Sequence, residues 1–141
     1  MLILDTNVVS EARKPSGNRN VKTWLSGQDG DEMYISSVTV LELQRGISQS
    51  EKRGDKPQAA MLTRWLDDMV LPTFAGRILP VDHAIARLAG RLAWPSATDF
   101  RDAVIAATAM VHDAIVVTRN ISHFQKSGVQ WVNPWTVDMR Q

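Results

Sequence analysis

The chain has 141 residues, of which 44% are hydrophobic and 22% charged, proportions typical of one globular domain and not of a disordered chain. It contains no cysteine, which excludes disulfide frameworks, zinc–thiolate sites and cysteine nucleophiles, and His83, His112 and His123 lack the spacing of a metal motif. The 16 basic and 15 acidic residues leave a net charge of +1, so any binding to nucleic acid must depend on local patches.

Nothing in the sequence predicts contact with a membrane. The longest apolar run, residues 103–111, is far shorter than the ~20 residues of a membrane span. The first residues, MLILD, reach a carboxylate at Asp5 without the basic start of a signal peptide. No linker-like stretch divides the chain, so we expect one cytoplasmic domain over residues 1–141.

The first elements are two strands and two helices. Residues 1–4 form an apolar run that stops at three polar residues beginning with Asp5, a pattern typical of a buried strand followed by a capped helix. Residues 33–36 predict a second strand. Residues 38–49, which are rich in good helix formers, predict a helix that is capped by one of the two serines before it.

The middle of the chain is predicted to be mainly helical. The most polar segment, residues 49–57, is expected to be a loop between two helices. Residues 58–70 then give the clearest amphipathic helix, because pairs of apolar residues recur four positions apart. After a short extended piece at residues 77–80, residues 82–94 predict another helix, which Pro95 ends.

The last third of the chain predicts a buried helix between strands. Residues 101–112 are apolar on nearly all sides, with Asp99 as a candidate N-cap. Residues 114–118 (AIVVT) predict a strand buried on both faces, and residues 129–132 a last short strand. Strands that alternate with helices predict a three-layer α/β/α domain with a mostly parallel central sheet.

Three carboxylates and one amide are placed to meet at one edge of this sheet. Asp5 ends the first strand, and Glu42 lies on the helix after the second strand. Asp102 is in the first turn of the buried helix, and Asn120 follows the AIVVT strand. Each residue alone has an ordinary explanation, such as a helix cap for Asp5 or a solvent-facing position for Glu42. Together they lie where open α/β sheets form their sites, beyond the carboxyl ends of the strands.

A divalent cation would relieve the repulsion in such a cluster. Two carboxylates about 5 Å apart repel by roughly 3 kcal/mol at an effective dielectric constant of about 20. The candidate ligands, Asp5, Asp102 and Glu42, offer only oxygen, which favours Mg²⁺ or alternatively Mn²⁺. Such an ion polarises a phosphoryl oxygen and makes a bound water more acidic, which suits hydrolysis of a phosphodiester.

The same residues lie in segments that resemble the PIN-domain family, in particular its VapC/FitB-type toxin branch. The resemblance covers essentially the whole chain, and LDTN alone is a weak signal whereas the ordered set is specific. The segments are LDTNVVSE (4–11), SSVTVLELQRG (36–46), FAGRILP (74–80), RDAVIAATA (101–109), VVTRN (116–120) and VNPW (132–135).

The resemblance implies which residues form the active site. Matched residue by residue, the catalytic set is Asp5, Glu42, Asp102 and Asn120. Three carboxylates imply one tightly held ion rather than two. Thr6 and Thr118 match small hydroxyl residues that support the acidic cluster in the family, and His123 stands where members often carry an acid.

The resemblance also implies an activity and partners. These are an Mg²⁺-dependent endoribonuclease toxin that inhibits translation, a homodimer, and a cognate antitoxin that blocks the site and provides any contact with DNA. A second hypothesis is a catalytically weak binding module that acts with its antitoxin as a co-repressor on DNA. A phosphoacceptor domain is disfavoured, because Arg119 and Asn120 stand where such a domain usually carries a lysine.

Basic and aromatic side chains leave further alternatives open. Arg119 is the stronger candidate for RNA contact, whereas a second basic group either contacts phosphates or is simply solvated: Arg45, Lys52, Arg53 and Lys56. Tryptophans can stack on bases, although most are expected to be structural: Trp24, Trp65, Trp94, Trp131 and Trp135. A third use is an apolar groove, including Trp24 and Leu25, for an antitoxin helix.

Overall fold

A computed structural model describes residues 1–92 and 100–137 of the protein, and these residues contain one five-stranded sheet. Its strands are β1 (Leu2–Leu4), β2 (Met33–Ser36), β3 (Ile78–Leu79), β4 (Ile115–Val117) and β5 (Trp131–Val132). They lie in the order β3-β2-β1-β4-β5, and each neighbouring pair is parallel. The first strand of the chain is therefore in the centre of the sheet.

Helices connect the strands and cover both faces of the sheet. They are α1 (Thr6–Arg13), α2 (Arg19–Ser26), α3 (Ser37–Lys52), α4 (Lys56–Trp65), α5 (Leu71–Thr73), α6 (His83–Arg91), α7 (Phe100–Val111) and α8 (Ile121–Gln125). The longest, α3, has 16 residues. None of the helices in the described ranges is long and apolar enough to cross a membrane.

Alternate residues of the central strands contribute to two separate apolar clusters. Leu4 and Val117 belong to one cluster, together with residues of α1, α2 and α3. Ile3 and Val116 belong to the other, together with Phe124 of α8 and several residues of α7. Because successive side chains of a strand point to opposite faces, each central strand packs against both helical layers. The predicted three-layer α/β/α architecture with a parallel sheet is confirmed.

Most of the predicted elements are present with shifted ends. The strand at residues 33–36 matches β2, and Ser36 caps the following helix by accepting a hydrogen bond from the Val38 N–H at 3.1 Å. The buried helix is α7, and Asp102 lies in its first turn as expected. Asp82 caps α6, which ends at Arg91. The predicted cap Asp99, Trp94 and the break at Pro95 lie outside the described residues.

The prediction of a loop over residues 49–57 is wrong in its extent. Helix α3 continues to Lys52 and α4 begins at Lys56, because the polar residues of this segment are good helix formers. Gly54 makes the sharp turn between them with φ of 78°, a conformation that favours glycine. Asp55 then caps α4, and Pro57 occupies its first turn.

The predicted helix at residues 58–70 does not end as one regular α-helix. Its α-helical part stops at Trp65, residues Leu66–Val70 form a π-helical turn, and α5 follows. Pro72 explains the change, since it has no N–H to donate and its ring would clash with the carbonyl one turn earlier. The wider turn keeps Leu66 and Val70 buried.

Two short helices, α2 and α8, were not expected from the sequence. Helix α8 is too short to show an apolar repeat, and each helix buries only one residue within its bounds, Val21 in α2 and Phe124 in α8. Asn18 caps α2 by accepting from two backbone N–H groups. The asparagine is a cap signal that sequence analysis can use, whereas α8 has no capping side-chain hydrogen bond.

Replacing Phe124 by alanine should destabilise the protein strongly. The ring is fully buried, and Phe→Ala changes in a core cost about 3–5 kcal/mol. Phe100, which is 65% exposed, provides the matched control, and its change to alanine should cost under about 0.5 kcal/mol. Urea unfolding of both variants measures the difference. Equal losses would show that α8 does not anchor this layer.

Candidate active site

Asp5 joins the central strand to the first helix. Its backbone N–H donates to the Val117 carbonyl at 2.9 Å, which ties it to β4. Its Oδ1 atom accepts the Thr6 N–H at 2.8 Å and so caps α1. These two contacts place the carboxylate at the carboxyl edge of the sheet, where it is only 3% exposed.

The other oxygen of Asp5 is held by two side chains. Thr118 Oγ1 donates to Asp5 Oδ2 at 2.8 Å, and Asn7 Nδ2 donates to the same atom at 3.1 Å. The Thr118 hydroxyl also accepts the Asn120 N–H at 3.0 Å. The backbone of Asn120 is thus connected to Asp5 through one hydroxyl. Its exposed side chain makes no capping hydrogen bond to α8.

Burial makes the Asp5 carboxyl harder to ionise. The pKa of Asp5 is raised from 3.8 to about 6, chiefly by desolvation and to a smaller extent by the charge of Asp102. The hydrogen bonds from Thr118, Thr6 and Asn7 lower the pKa but do not compensate for burial. The effect of Asp102 shows that the two carboxylates are close enough to repel each other.

Glu42 projects from α3 with both of its oxygens in contact with other side chains. The Thr6 hydroxyl donates to Glu42 Oε1 at 3.0 Å and lies 3.1 Å from the Thr39 hydroxyl. Arg101 Nη1 is 3.6 Å from Glu42 Oε2. Burial raises the pKa of Glu42 and Asp5 adds to this, whereas Thr6 and Arg101 lower it. Glu42 is therefore within the electrostatic range of Asp5.

Asp102 is held by His123, a residue for which no role was predicted. Asp102 Oδ2 lies 2.6 Å from His123 Nδ1, and both side chains are partly exposed, at 18% and 35%. Asp102 comes from the first turn of α7 and His123 from α8. The signal available in the sequence was the position of His123, three residues after Asn120, but the helix that carries it was not predicted.

The structure brings the predicted residues to one edge of the sheet, but their side chains do not converge on a common position. The charge of Asp102 raises the pKa of Asp5, and the charge of Asp5 raises the pKa of Glu42. The backbone of Asn120 is connected to Asp5 through the Thr118 hydroxyl. Within residues 1–92 and 100–137, no three His, Asp or Glu side chains are grouped closely enough to hold a metal ion. Glu42 is instead in contact with Arg101, and Asp102 with His123.

The chemistry of this edge nevertheless fits a hard divalent cation. Asp5 is a buried carboxylate with three hydrogen-bond donors but no cationic partner in the described part of the chain. Buried charges in proteins are normally paired or bound to metal. Asp5 and Asp102 supply two neighbouring carboxylates, and all the available donors are oxygen, which suits Mg²⁺ or Mn²⁺.

The basic and aromatic residues considered as candidates for RNA contact do not lie together in the structure. Arg45 is close enough to lower the pKa of Glu42. Lys52 ends the same helix ten residues after Glu42, about 15 Å away. The predicted basic residues therefore do not all lie beside the acidic edge. The Arg119 guanidinium lies 5.2 Å from the centre of the Trp135 ring, beside the acidic edge. Three tryptophans pack partly buried against the core, namely Trp24, Trp65 and Trp135.

Residues 2–128 match the model of the PIN domain, so the chain belongs to the PIN domain family. It is 36% identical to Toxin FitB of Neisseria gonorrhoeae over 140 residues, which cover 96% of this chain and 99% of that protein. It is also 36% identical to VapC ribonuclease Y4jK of Sinorhizobium fredii over 140 residues, covering 96% and 98% of the two chains.

Solved structures give the same assignment. The crystal structure of FitAcB from Neisseria gonorrhoeae matches with a TM-score of 0.85 at 34% identity, covering 97% of this chain and all of that one. The structure of FitAB bound to an IR36 DNA fragment matches with a TM-score of 0.82 at 31% identity over 100% of both chains. The predicted resemblance to PIN-domain toxins of the VapC/FitB type is confirmed.

Replacing Asp5 by asparagine should stabilise the metal-free protein at neutral pH. The folded-state pKa of about 6 exceeds the ordinary 3.8, so folding binds the proton more tightly and this contribution to stability is lost as the pH rises from about 4 to 6. Asparagine stays neutral and still caps a helix, so the gain at pH 7.5 is up to about 3 kcal/mol and vanishes near pH 4. Urea unfolding in EDTA at both pH values measures it.

Exposed Asp67 is the control for this measurement, and its change to asparagine should leave the unfolding free energy within about 0.5 kcal/mol at either pH. A loss of stability in Asp5→Asn at pH 7.5 would mean that its three hydrogen bonds outweigh the cost of burying the charge.

Proposed function

We propose that the protein is the toxin of a toxin–antitoxin module and acts in the cytoplasm as a metal-dependent endoribonuclease. It would hydrolyse RNA phosphodiester bonds and so inhibit translation. The observation that carries this proposal is the buried Asp5 carboxylate, which lies beside Asp102 without a cationic partner among the described residues. The similarity to a VapC ribonuclease supports the same reaction class.

A divalent cation, Mg²⁺ or Mn²⁺, would be held directly by Asp5 and Asp102, and by Glu42 directly or through water. When bound, such an ion polarises a phosphoryl oxygen and makes a nearby water more acidic. The Thr118 and Thr6 hydroxyls orient the carboxylates of Asp5 and Glu42 by donating to them. Such partners fix the direction of ligand oxygens and strengthen metal binding.

The remaining residues of the edge act on the substrate and on Asp102. Asn120 offers an exposed amide that positions the attacking water or a phosphate oxygen through hydrogen bonds. His123 is a positioning residue, because its Nδ1 contact fixes one oxygen of Asp102. Arg119 lies next to Asn120 and is held over Trp135, where it attracts the RNA backbone.

Loss of Asp5 should remove both RNA cleavage and tight metal binding. We expect Asp5→Asn to lower cleavage of total RNA at least about 100-fold, because a neutral amide is a poor ligand for Mg²⁺. Mapping of RNA ends and calorimetric titration with Mg²⁺ measure the two effects, with Asp67→Asn as the control. Asn120→Ala should have a smaller effect on both.

Two outcomes would contradict this proposal. Unchanged Mg²⁺ affinity in Asp5→Asn would overturn the metal site. Absence of RNA cleavage by the protein in Mg²⁺ and in Mn²⁺ would favour the second function, a PIN module that acts with its antitoxin as a co-repressor. The relative solved as FitAB bound to DNA is the observation that favours this second function.

An apolar groove lined in part by Trp65 supports an antitoxin partner. It has a volume of about 340 Å³ and is lined mainly by apolar residues, among them Val9 of α1, Leu25 of α2, Met69 of the π-helical turn, and Phe74 after α5. Met69 is 59% exposed. Such a groove suits the apolar face of an amphipathic helix. Leu25 lines it as expected, but Trp24 lies in a different depression.

We therefore propose a cognate antitoxin whose helix fills this groove and whose basic side chain reaches the acidic edge. Contact with DNA would occur only through that antitoxin, and the toxin would form a homodimer. The two related structures, FitAcB and FitAB bound to an IR36 DNA fragment, support this proposal. Charge neutralisation at Asp5, Glu42 and Asp102 would then compete with binding of the cation.

The complex should melt well above the isolated chain and bind Mg²⁺ more weakly. A ligand specific for the folded state stabilises it by about 4 kcal/mol at a thousandfold excess over Kd. Met69→Lys should weaken the complex, whereas Leu41→Lys, which changes another exposed residue outside the groove, should not. Thermal melting and Mg²⁺ titration of complex and free protein provide the measurement. Equal Mg²⁺ affinity would show that inhibition occurs away from the acidic edge.

A further inference from the structure

A second cavity, of about 410 Å³, opens beside the acidic edge and shares Thr6 and Glu42 with it. Its walls come from α1, α3 and α4, with Arg101 at the start of α7. We name it the arginine cavity, because Arg13, Arg45 and Arg101 all line it. Its volume is within the range of about 300–1,000 Å³ that is usual for small-molecule sites.

The wall of the arginine cavity carries a net positive charge. Glu42 is the one carboxylate among the described residues that line it, and Arg101 is its partner at 3.6 Å. Arg13 and Arg45 have no ion-pair partner within the described ranges. The cavity therefore favours an anion over the cationic side chain that would neutralise the acidic edge.

Arg13 is held in place, but it has no hydrogen bond to an oxygen atom among the described residues. Its guanidinium lies 5.5 Å from the centre of the Trp65 ring, and Nη1 is 3.6 Å from the Met61 sulfur. Nε is buried and has no hydrogen-bond partner among the described residues. A guanidinium supplies five N–H donors and no acceptor, so the partly exposed Arg13 suits a ligand rich in oxygen.

The lining also matches the surface of a nucleobase. Arg13 and Trp65 provide flat groups of the kind on which unstacked RNA bases pack. Gln49 and Gln58, which also line the cavity, carry amides that both donate and accept hydrogen bonds. An aromatic ring, planar cations and amides around one cavity are the features with which proteins bind single-stranded RNA.

We propose, on the basis of the ribonuclease function above, that the arginine cavity binds one RNA nucleotide adjacent to the scissile phosphodiester. The base packs against the Arg13–Trp65 pair, and its phosphate lies near Arg45 and Arg101. Because the cavity shares Glu42 with the acidic edge, a nucleotide held there places the neighbouring phosphate at Asp5. The cavity is thus a specificity subsite that selects the base next to the cut.

The first test measures binding without cleavage, in the full chain carrying Asp5→Asn. The probes are the four nucleoside 5′-monophosphates, titrated by calorimetry, and a fluorescein-labelled 12-residue RNA of random sequence. Arg13→Gln and Arg45→Gln should each weaken binding about tenfold, as for loss of a charge-assisted contact. Arg45→Gln should also reduce the salt dependence of RNA binding by about 0.7 in the log–log slope.

Arg64→Gln is the matched control, because Arg64 is exposed on α4, loses the same charge and does not line the cavity. It should bind both probes like the parent protein. Arg45 is exposed, so its variant keeps the test valid if Arg13→Gln proves unstable.

The second test uses cleavage of a randomised RNA library by the protein with Asp5 intact. Arg13→Gln should change the distribution of bases next to the cut and raise KM more than it lowers kcat, whereas Arg64→Gln should change neither. Unchanged base preference and unchanged nucleotide affinity in Arg13→Gln and Arg45→Gln would overturn the subsite and leave the ribonuclease function standing.

The remaining outcomes separate the two proposals. Loss of nucleotide affinity in the two variants of a protein that cleaves no RNA would support the nucleotide site and overturn the ribonuclease function. Weakened antitoxin binding with unchanged RNA binding in Arg45→Gln, which changes the cavity but not the groove, would assign the cavity to the protein partner and overturn the subsite.

Discussion

The carboxylate of Asp5 accepts hydrogen bonds from the Thr6 N–H and the Asn7 side chain of α1, and from Thr118, which follows β4. The backbone N–H of Asp5 donates to Val117 of β4. One residue thus joins the central strand, the first helix and a strand from the other end of the chain. Burying this charge is unfavourable, as its raised pKa shows. The same two carboxylate oxygens that are unfavourably buried lie at the edge of the sheet where the candidate site is. Stability and chemistry oppose each other at Asp5.

The acidic edge could be predicted because it depends on the backbone. Asp5 follows an apolar run, and Asp102 lies at the start of an apolar helix. Each is therefore placed at the end of a buried element by the backbone, independently of side-chain contacts. Parallel strands end at one edge, and this brings such residues together.

The contacts between side chains could not be predicted in this way. Arg101 engages Glu42, and His123 engages Asp102, through packing of α7 and α8 against their neighbours. Helix α8 has five residues and one buried ring, too little to give a periodic signal. The arginine cavity is equally invisible, because its walls combine residues of α1, α3 and α4 that are far apart in the chain.

Arg13 and Trp65 line both the apolar groove and the arginine cavity. A helix in the groove and a nucleotide in the cavity would therefore contact the same two side chains from opposite sides. Inhibitor and substrate could then influence each other through a single cation–π pair, without movement of the sheet.

The strand order has a consequence for how the protein is made. The central strand β1 is the first to leave the ribosome, but its partner β4 follows more than a hundred positions later, and Thr118 reaches Asp5 across 113 residues. Contacts so distant in sequence form late and slowly. A nascent chain therefore presents Asp5 without its hydroxyl partner until Thr118 has been synthesised. The topology itself delays assembly of the acidic edge until β4 and the residues after it have left the ribosome.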